Sequence, residues 1–170
     1  VFDLPNLRKQ DLCDLSLFIN IVTEMGCGGR DYASHLEYIE ANTGGIDVSL
    51  ALNPNVADFT SFKPSLSVRG KALHRKADRF LPLLKEQLFT ADFTDITRIK
   101  EVIAKYYTGI VNSLNSNAMR YATNQAAGFV SHSGRTGNYW YGLEFYWNLQ
   151  RWIKEFDSRA DEFVEKMMAI

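Results

Sequence analysis

The side chains in this chain that could do chemistry are three histidines, two cysteines and two closely spaced pairs of carboxylates. Zinc hydrolysis from a single helix needs H-x-x-E-H, because residues one helical turn apart set two imidazoles on one face with a carboxylate beside the metal-bound water. His35 precedes Leu36-Glu37-Tyr38-Ile39, so its i+3 and i+4 positions hold Tyr and Ile. His74 precedes Arg75 and Lys76, whose charges repel a cation, and His132 sits between Ser131 and Ser133 in what reads as a loop. Three scattered surface histidines are expected, with a cluster assembled by folding as the alternative.

Neither G-x-S-x-G nor a recognisable partner motif for a nucleophilic cysteine occurs. Cys27, between Gly26 and Gly28, reads as the more exposed thiol, and a low pKa would need a helix N-terminus or more cations than Arg30. Gly26 to Gly29 lacks the phosphate-loop spacing and reads as a helix stop, where carbonyls rather than amides are free. Cys13 and Cys27 are too few for a disulfide scaffold and read as reduced packing thiols. Glu37 with Glu40, and Asp161 with Glu165, are spaced for one helical face and read as solvated surface. The block Tyr139-Trp140-Tyr141, with Phe145, Tyr146, Trp147 and Trp152, suits either core packing or an interdomain or peptide-contact surface that Arg135 could join.

These residues must be placed by an ordinary core. With 46% hydrophobic residues in 170, the chain can bury a domain-sized interior, and its net charge of -1 lacks the overall basic excess of a nucleic-acid or anionic-membrane binder. No apolar stretch approaches the roughly 20 residues of a membrane span. The chain opens on Val1, so its ends read as cut and a missing targeting signal is uninformative.

Leu12, Leu15, Phe18, Ile21, Val22 and Met25 predict a helix with one apolar face, closed by Gly26. Arg30 to Asn42 predicts a second, closed by Gly44-Gly45. Phe2-Asp3-Leu4-Pro5 reads as a strand end, and Ile46, Val48, Leu50 and Leu52 alternate as a half-buried strand. Leu66, Val68 and Gly70 predict its partner across a Pro54 to Pro64 surface loop. A third helix carries Phe80 to Leu88, with a kink expected at Pro82. Asp92-Phe93-Thr94-Asp95 caps a long helix from Ile96 to Leu114. Ala118 to Ser131 is rich in small residues suited to close helix approach, and Gly134 to Asn138 is expected to break the chain before a last helix from Leu143 to Met167. Two or three strands followed by mostly helix make an α+β fold, an antiparallel sheet with helices packed on one face and a helix-rich C-terminal part.

Phe2-Asp3-Leu4-Pro5-Asn6-Leu7, Asp11-Leu12, Leu17-Phe18, Met25-Gly26, Thr43-Gly44-Gly45-Ile46, Arg69-Gly70-Lys71-Ala72-Leu73 and Asp92-Phe93-Thr94-Asp95 form an ordered set over about half the chain. The set resembles the third homologous domain of pitrilysin/insulinase-type zinc metallopeptidases of the presequence-protease branch. The resemblance implies a metallopeptidase half-domain, one of four in two halves that close like a clam shell around an unfolded peptide cut by a zinc-bound water. It also places H-x-x-E-H in the first domain and a substrate-orienting Arg and Tyr in the last. Residues 1–170 are therefore expected to be one non-catalytic domain fragment with no catalytic, cofactor or metal residue, zinc belonging to the full-length enzyme. Sister domains and peptide substrates are the implied partners, without nucleic acid or membrane, in a soluble reducing compartment such as a bacterial cytoplasm or an organelle matrix. One departure is Ser116-Asn117, where relatives often carry a Gly-His pair. The alternative is a non-catalytic interaction or scaffold domain of the same fold that holds a partner with its aromatic block; a small hydrolase built on His35 or Cys27 is the third reading.

Overall fold

The fold is built around a hairpin of two strands, β2 (Ile46–Pro54) and β3 (Phe62–Gly70), which pair antiparallel from Ile46 opposite Gly70 to Pro54 opposite Phe62. The computed structural model describes residues 1–4, 8–58 and 60–170. Alternation turns Val48, Leu50 and Leu66 into the core, as the two-residue period predicts. A short strand, β1 (Phe2–Asp3), adds to β3 with Phe2 opposite Leu66, giving the antiparallel order β1-β3-β2. Pro5, the last residue of that sequence-predicted strand, lies outside the described residues. The strands also reach further than expected: Pro54 and Pro64 lie within them, and the connection shrinks to Asn55–Ser61, closed by an Asn55 N–H to Ser61 carbonyl bond of 3.0 Å.

Helix α1 (Lys9–Val22) lies against this sheet, and the prediction of a single apolar face proves too narrow. Residues Leu12 to Ile19 are all buried, because β2 covers one side while later helices cover the rest. Polar side chains inside that envelope find partners, Ser16 Oγ donating to the Trp140 carbonyl at 2.7 Å. Gly26 does not close the helix. α1 stops at Val22 with Thr23 still right-handed, and the left-handed residues are Gly28 and Gly29, at φ of 59° and 76°. They build the Cys27 to Arg30 turn; Gly26 is needed because a Cβ there would strike the Arg30 carbonyl.

Helix α2 (Tyr32–Asn42) starts on Asp31, whose side chain accepts the Ser34 N–H at 2.8 Å, and Gly45 follows it at φ 114°. After β3, a 3-10 turn (His74–Lys76) leads into α3 (Ala77–Phe89), which runs unbroken through Pro82. Helix α4 (Ile96–Ser116) begins as its sequence predicts: Asp95 accepts the Arg98 N–H at 2.9 Å, and Asp92 folds back onto Thr94. Its buried stripe is Ile99, Val102 and Ile103.

The expected break at Gly134 to Asn138 is absent. Helix α5 (Ala118–Val130) gives way at Ser131 to α6 (His132–Tyr141), which runs straight through Gly134 and Gly137. Ser131 caps α6 by accepting the Gly134 N–H at 3.0 Å, and Gly134 lets α6 press on the Ala127 carbonyl of α5, where a Cβ would collide. The break comes at Gly142, beside Asn138, whose Oδ1 accepts the first N–H of α7 (Leu143–Met168) at 3.1 Å. Helix α7 bends at Arg159, non-helical at φ -134°, where Glu155 and Glu162 grip the guanidinium. Trp140, Leu149, Trp152, Phe156, Phe163 and Met167 fill the interior between α1, α6 and α7, with Trp152 meeting the edge of Phe163 at 4.9 Å. Truncating one of these large rings to alanine would cost about 3–5 kcal/mol.

Candidate functional site

Folding does not gather the histidines. His74 is exposed on the 3-10 turn, and His132 is exposed as the first residue of α6 rather than in a loop. His35 departs from the surface expectation: it is 1% exposed on the inner side of α2. Its Nε2 lies 2.9 Å from Gln87 Oε1, and its Nδ1 lies 3.4 Å from Arg30 Nε. Since the guanidinium only donates, Nδ1 is the acceptor and the ring carries its proton on Nε2, donating to Gln87. Both nitrogens are thus committed to neighbours.

Gln87 is the centre of this cluster. It is fully buried, and its Nε2 donates to the Val22 carbonyl and to Cys27 Sγ at 3.6 Å. Val22 ends α1, so an α3 side chain satisfies a carbonyl that the helix leaves unpaired. Arg30 completes the arrangement, pairing with Glu86 of α3 and lying 4.5 Å above the Tyr38 ring of α2. One buried amide therefore ties α1, α2, α3 and the glycine turn together. Gln87 follows Leu83 by four positions on the buried face of α3, and that polar interruption of an apolar stripe was its only signal in the sequence.

Cys27 is 0% exposed, not the accessible thiol its glycine neighbours suggested. Burial pushes its pKa up to about 11, against a downward pull from Arg30. Cys13 is pushed up to about 12 by burial and then by the charges of Asp14 and Glu144, and its thiol donates to the Tyr139 carbonyl at 3.4 Å. Both are free thiols held neutral, which opposes nucleophilic use. Among the described residues, no three His, Cys, Asp or Glu side chains come together as metal ligands. With both His35 nitrogens engaged, the residues here do not fit a zinc ion. The carboxylates of Glu37, Glu40, Asp161 and Glu165 are exposed, as their spacing suggested.

The aromatic block splits. Trp140, Phe145 and Trp152 are core, while Tyr141 and Trp147 are 47% and 48% exposed. Tyr141 spends its hydroxyl on the Leu50 carbonyl of β2 at 3.0 Å, and burial raises its pKa. Arg135 does not join them; it lies in α6 and donates to the Gly128 carbonyl of α5 at 3.3 Å. Two clefts remain. An apolar one of about 580 Å³ lies between β1 and the ends of α3 and α7, lined by Phe2, Leu4, Phe89, Met168 and Ile170 among others. A polar one of about 550 Å³ is lined by Asp14, Glu144, Trp147, Asn148, Arg151 and Lys166.

A three-stranded antiparallel sheet packed with helices makes an α+β, helix-rich fold. The family profile described as Peptidase M-16C associated matches residues 1–151, and the chain belongs to that family as a presequence-protease-like segment. It is 26% identical over 144 residues to the mitochondrial presequence protease of Drosophila melanogaster, covering 85% of this chain and 14% of that protein. The mitochondrial presequence protease of Yarrowia lipolytica is 26% identical over 69% of this chain and 12% of its own length. The chloroplastic/mitochondrial presequence protease 1 of Arabidopsis thaliana is 26% identical over 91% of this chain and 14% of its own length. The chain thus spans about one seventh of the length of the relatives it matches and aligns with one part of those longer proteins.

Proposed function

We propose that residues 1–170 form a non-catalytic, chamber-forming domain of a four-domain zinc-dependent endopeptidase that degrades unfolded peptides, and that the segment is inactive by itself. The observation that carries the reading is the Peptidase M-16C associated match over residues 1–151, in a sequence whose three histidines all lack the H-x-x-E-H context. The donor set agrees: His35 spends both nitrogens inside the fold, and both thiols are buried and neutral. No residue of this segment is assigned a catalytic, cofactor or metal role, and zinc belongs to the full-length enzyme. The work of these residues is positional. The Gln87 cluster ties α1, α2, α3 and the Cys27 to Arg30 turn to one another inside the segment. Sister domains of that chain and its peptide substrates are the partners in this reading. Two buried free thiols suit a reducing compartment, such as an organelle matrix, the relatives being named as mitochondrial or chloroplastic, or a bacterial cytoplasm; among the described residues no helix is long and apolar enough to cross a membrane.

Two assays test this. The full-length parent should cleave an unstructured peptide in a chelator-sensitive way, while the isolated segment with added zinc should not. Zinc-dependent turnover by the isolated segment, abolished in His35→Ala, would overturn the proposal. A parent without zinc-dependent turnover would instead leave the scaffold reading, in which exposed Trp147 contacts a partner.

A further inference from the structure

The chain is nearly neutral, yet its cations are unevenly placed. Arg69, Lys71, Arg75, Lys76 and Arg79 fall within the passage from the end of β3 to the first turn of α3, where Asp78 is the one acidic residue. None of the five takes part in an ion pair among the described residues, as is true of Lys63, Lys85 and Lys154 elsewhere, and Arg69 stands opposite Asp47 in the β2–β3 register. The hairpin explains how they converge. Gly44 N–H donates to the Lys71 carbonyl at 2.7 Å, and Lys71 N–H donates back to Gly45 at 3.3 Å, so the end of α2 and the end of β3 are laced together. A groove of about 370 Å³ opens at this seam, with Lys71, Arg75 and Lys76 on one wall and Glu40 with residues 41–44 on the other.

The cations are held differently. Lys76 donates to the Ala41 carbonyl at the end of α2, and Arg79 donates to Asn42 Oδ1 at 3.3 Å. Lys71 lays its methylenes over Gly44, where a Cβ would be 2.9 Å from its Cγ, and Arg75 is exposed. Glu40 is the single carboxylate lining the groove, so its field is positive. Leu73 stands between Lys71 and Arg75 at 60% exposure, an apolar anchor among charges.

We propose that the groove between the end of α2 and the β3–α3 connection binds an acidic peptide segment that carries an apolar side chain. Charge complementarity supplies the attraction, and Leu73 supplies a contact that a simple anion would not use. A nucleic acid fits less well, because single strands are gripped by bases stacking on aromatic rings and the groove lining contains none. The surface stands whether or not the parent protein is a peptidase.

The test is fluorescence anisotropy with a labelled short peptide of glutamates around one leucine, titrated with this chain at low and at physiological salt. The peptide should bind at low salt and weaken as salt rises, since these cations are exposed. Lys71→Glu and Arg75→Glu should each weaken it roughly fivefold, and Leu73→Ala should weaken it without a change of charge, an arm that stands even if a charge reversal disturbs the fold. Lys154→Glu on α7 makes the same change of net charge away from the groove and should leave binding unaltered. Equal loss in Lys154→Glu, no binding at low salt, or a tighter grip on single-stranded DNA or on phosphatidylserine vesicles than on the peptide overturns the proposal.

Discussion

Replacing Gln87 by leucine tests whether one buried amide ties the helices together. Leucine nearly matches glutamine in volume, so no cavity opens and the effect isolates the hydrogen bonds. Two groups lose their partner: the His35 Nε2–H, now 2.9 Å from Gln87 Oε1, and the Val22 carbonyl that Gln87 Nε2 caps. Each sits where solvent cannot replace the amide, because Gln87 is 0% and His35 1% exposed. Stranding a buried polar group costs about 1–3 kcal/mol, and part of that is offset by leucine's apolar surface, so a net loss of about 2–4 kcal/mol is expected. For a chain of 170 residues this corresponds to a fall in Tm of roughly 5–15 °C. Urea unfolding followed by far-UV circular dichroism should show a lower midpoint at unchanged slope. The double variant His35→Leu/Gln87→Leu removes the stranded imidazole, so it should be more stable than the sum of the single losses by about 1 kcal/mol or more. A Gln87→Leu loss below about 0.5 kcal/mol, or strict additivity in the cycle, would refute the reasoning, since exposed-site substitutions already scatter that much.

Two glycines in α6 make opposite predictions. Gly137 has open space where a Cβ would stand, so Gly137→Ala should raise stability by about 0.5–1 kcal/mol through helix propensity, whereas Gly134→Ala meets the Ala127 carbonyl and should lower the Tm. Thermal melts of the two variants check this, and equal shifts would mean that α5 and α6 are not in close contact. The buried thiols predict alkaline sensitivity. Their folded pKa values of about 12 and 11 lie above the ordinary value of 9.0, so the stability they contribute is full below that value and is lost as pH rises through the folded values. Between about pH 9 and pH 11, wild-type stability should fall by about 1.4 kcal/mol per pH unit for each thiol, and Cys27→Ala should remove one share of that slope in paired urea titrations.

What was legible in the sequence, and what was not, follows from the range of the interactions concerned. The β2–β3 hairpin announced itself because alternation is a local property: Val48 and Leu50 face one way whatever packs on them. The Asp95 cap was legible for the same reason, its partner Arg98 being three residues away. The long-range features were not. Gly134 and Gly137 read as breakers because glycine lowers helix propensity, yet α6 persists because Ser131 caps it and α5 packs against the face that Gly134 leaves bare. α1 read as amphipathic, and only the tertiary arrangement supplies the partners that let Ser16 and Asp14 be buried beside Leu15 and Leu17.

His35 shows how the same limit governs function. Its neighbours in the chain excluded a zinc helix, which is a statement about spacing along one turn and needed no structure. They could not say where the imidazole goes, because its partners are five residues and fifty-two residues away. The exclusion of chemistry was therefore local, whereas the structural duty depends on the fold. Cys27 behaves alike: glycines on both sides suggested access, yet it is buried against groups as distant as Gln87, sixty residues away, and Ala91. His35 and the two thiols are taken up by contacts inside the fold while His74 and His132 stay exposed, and these buried contacts support the positional part proposed above alongside the family match and the missing motif.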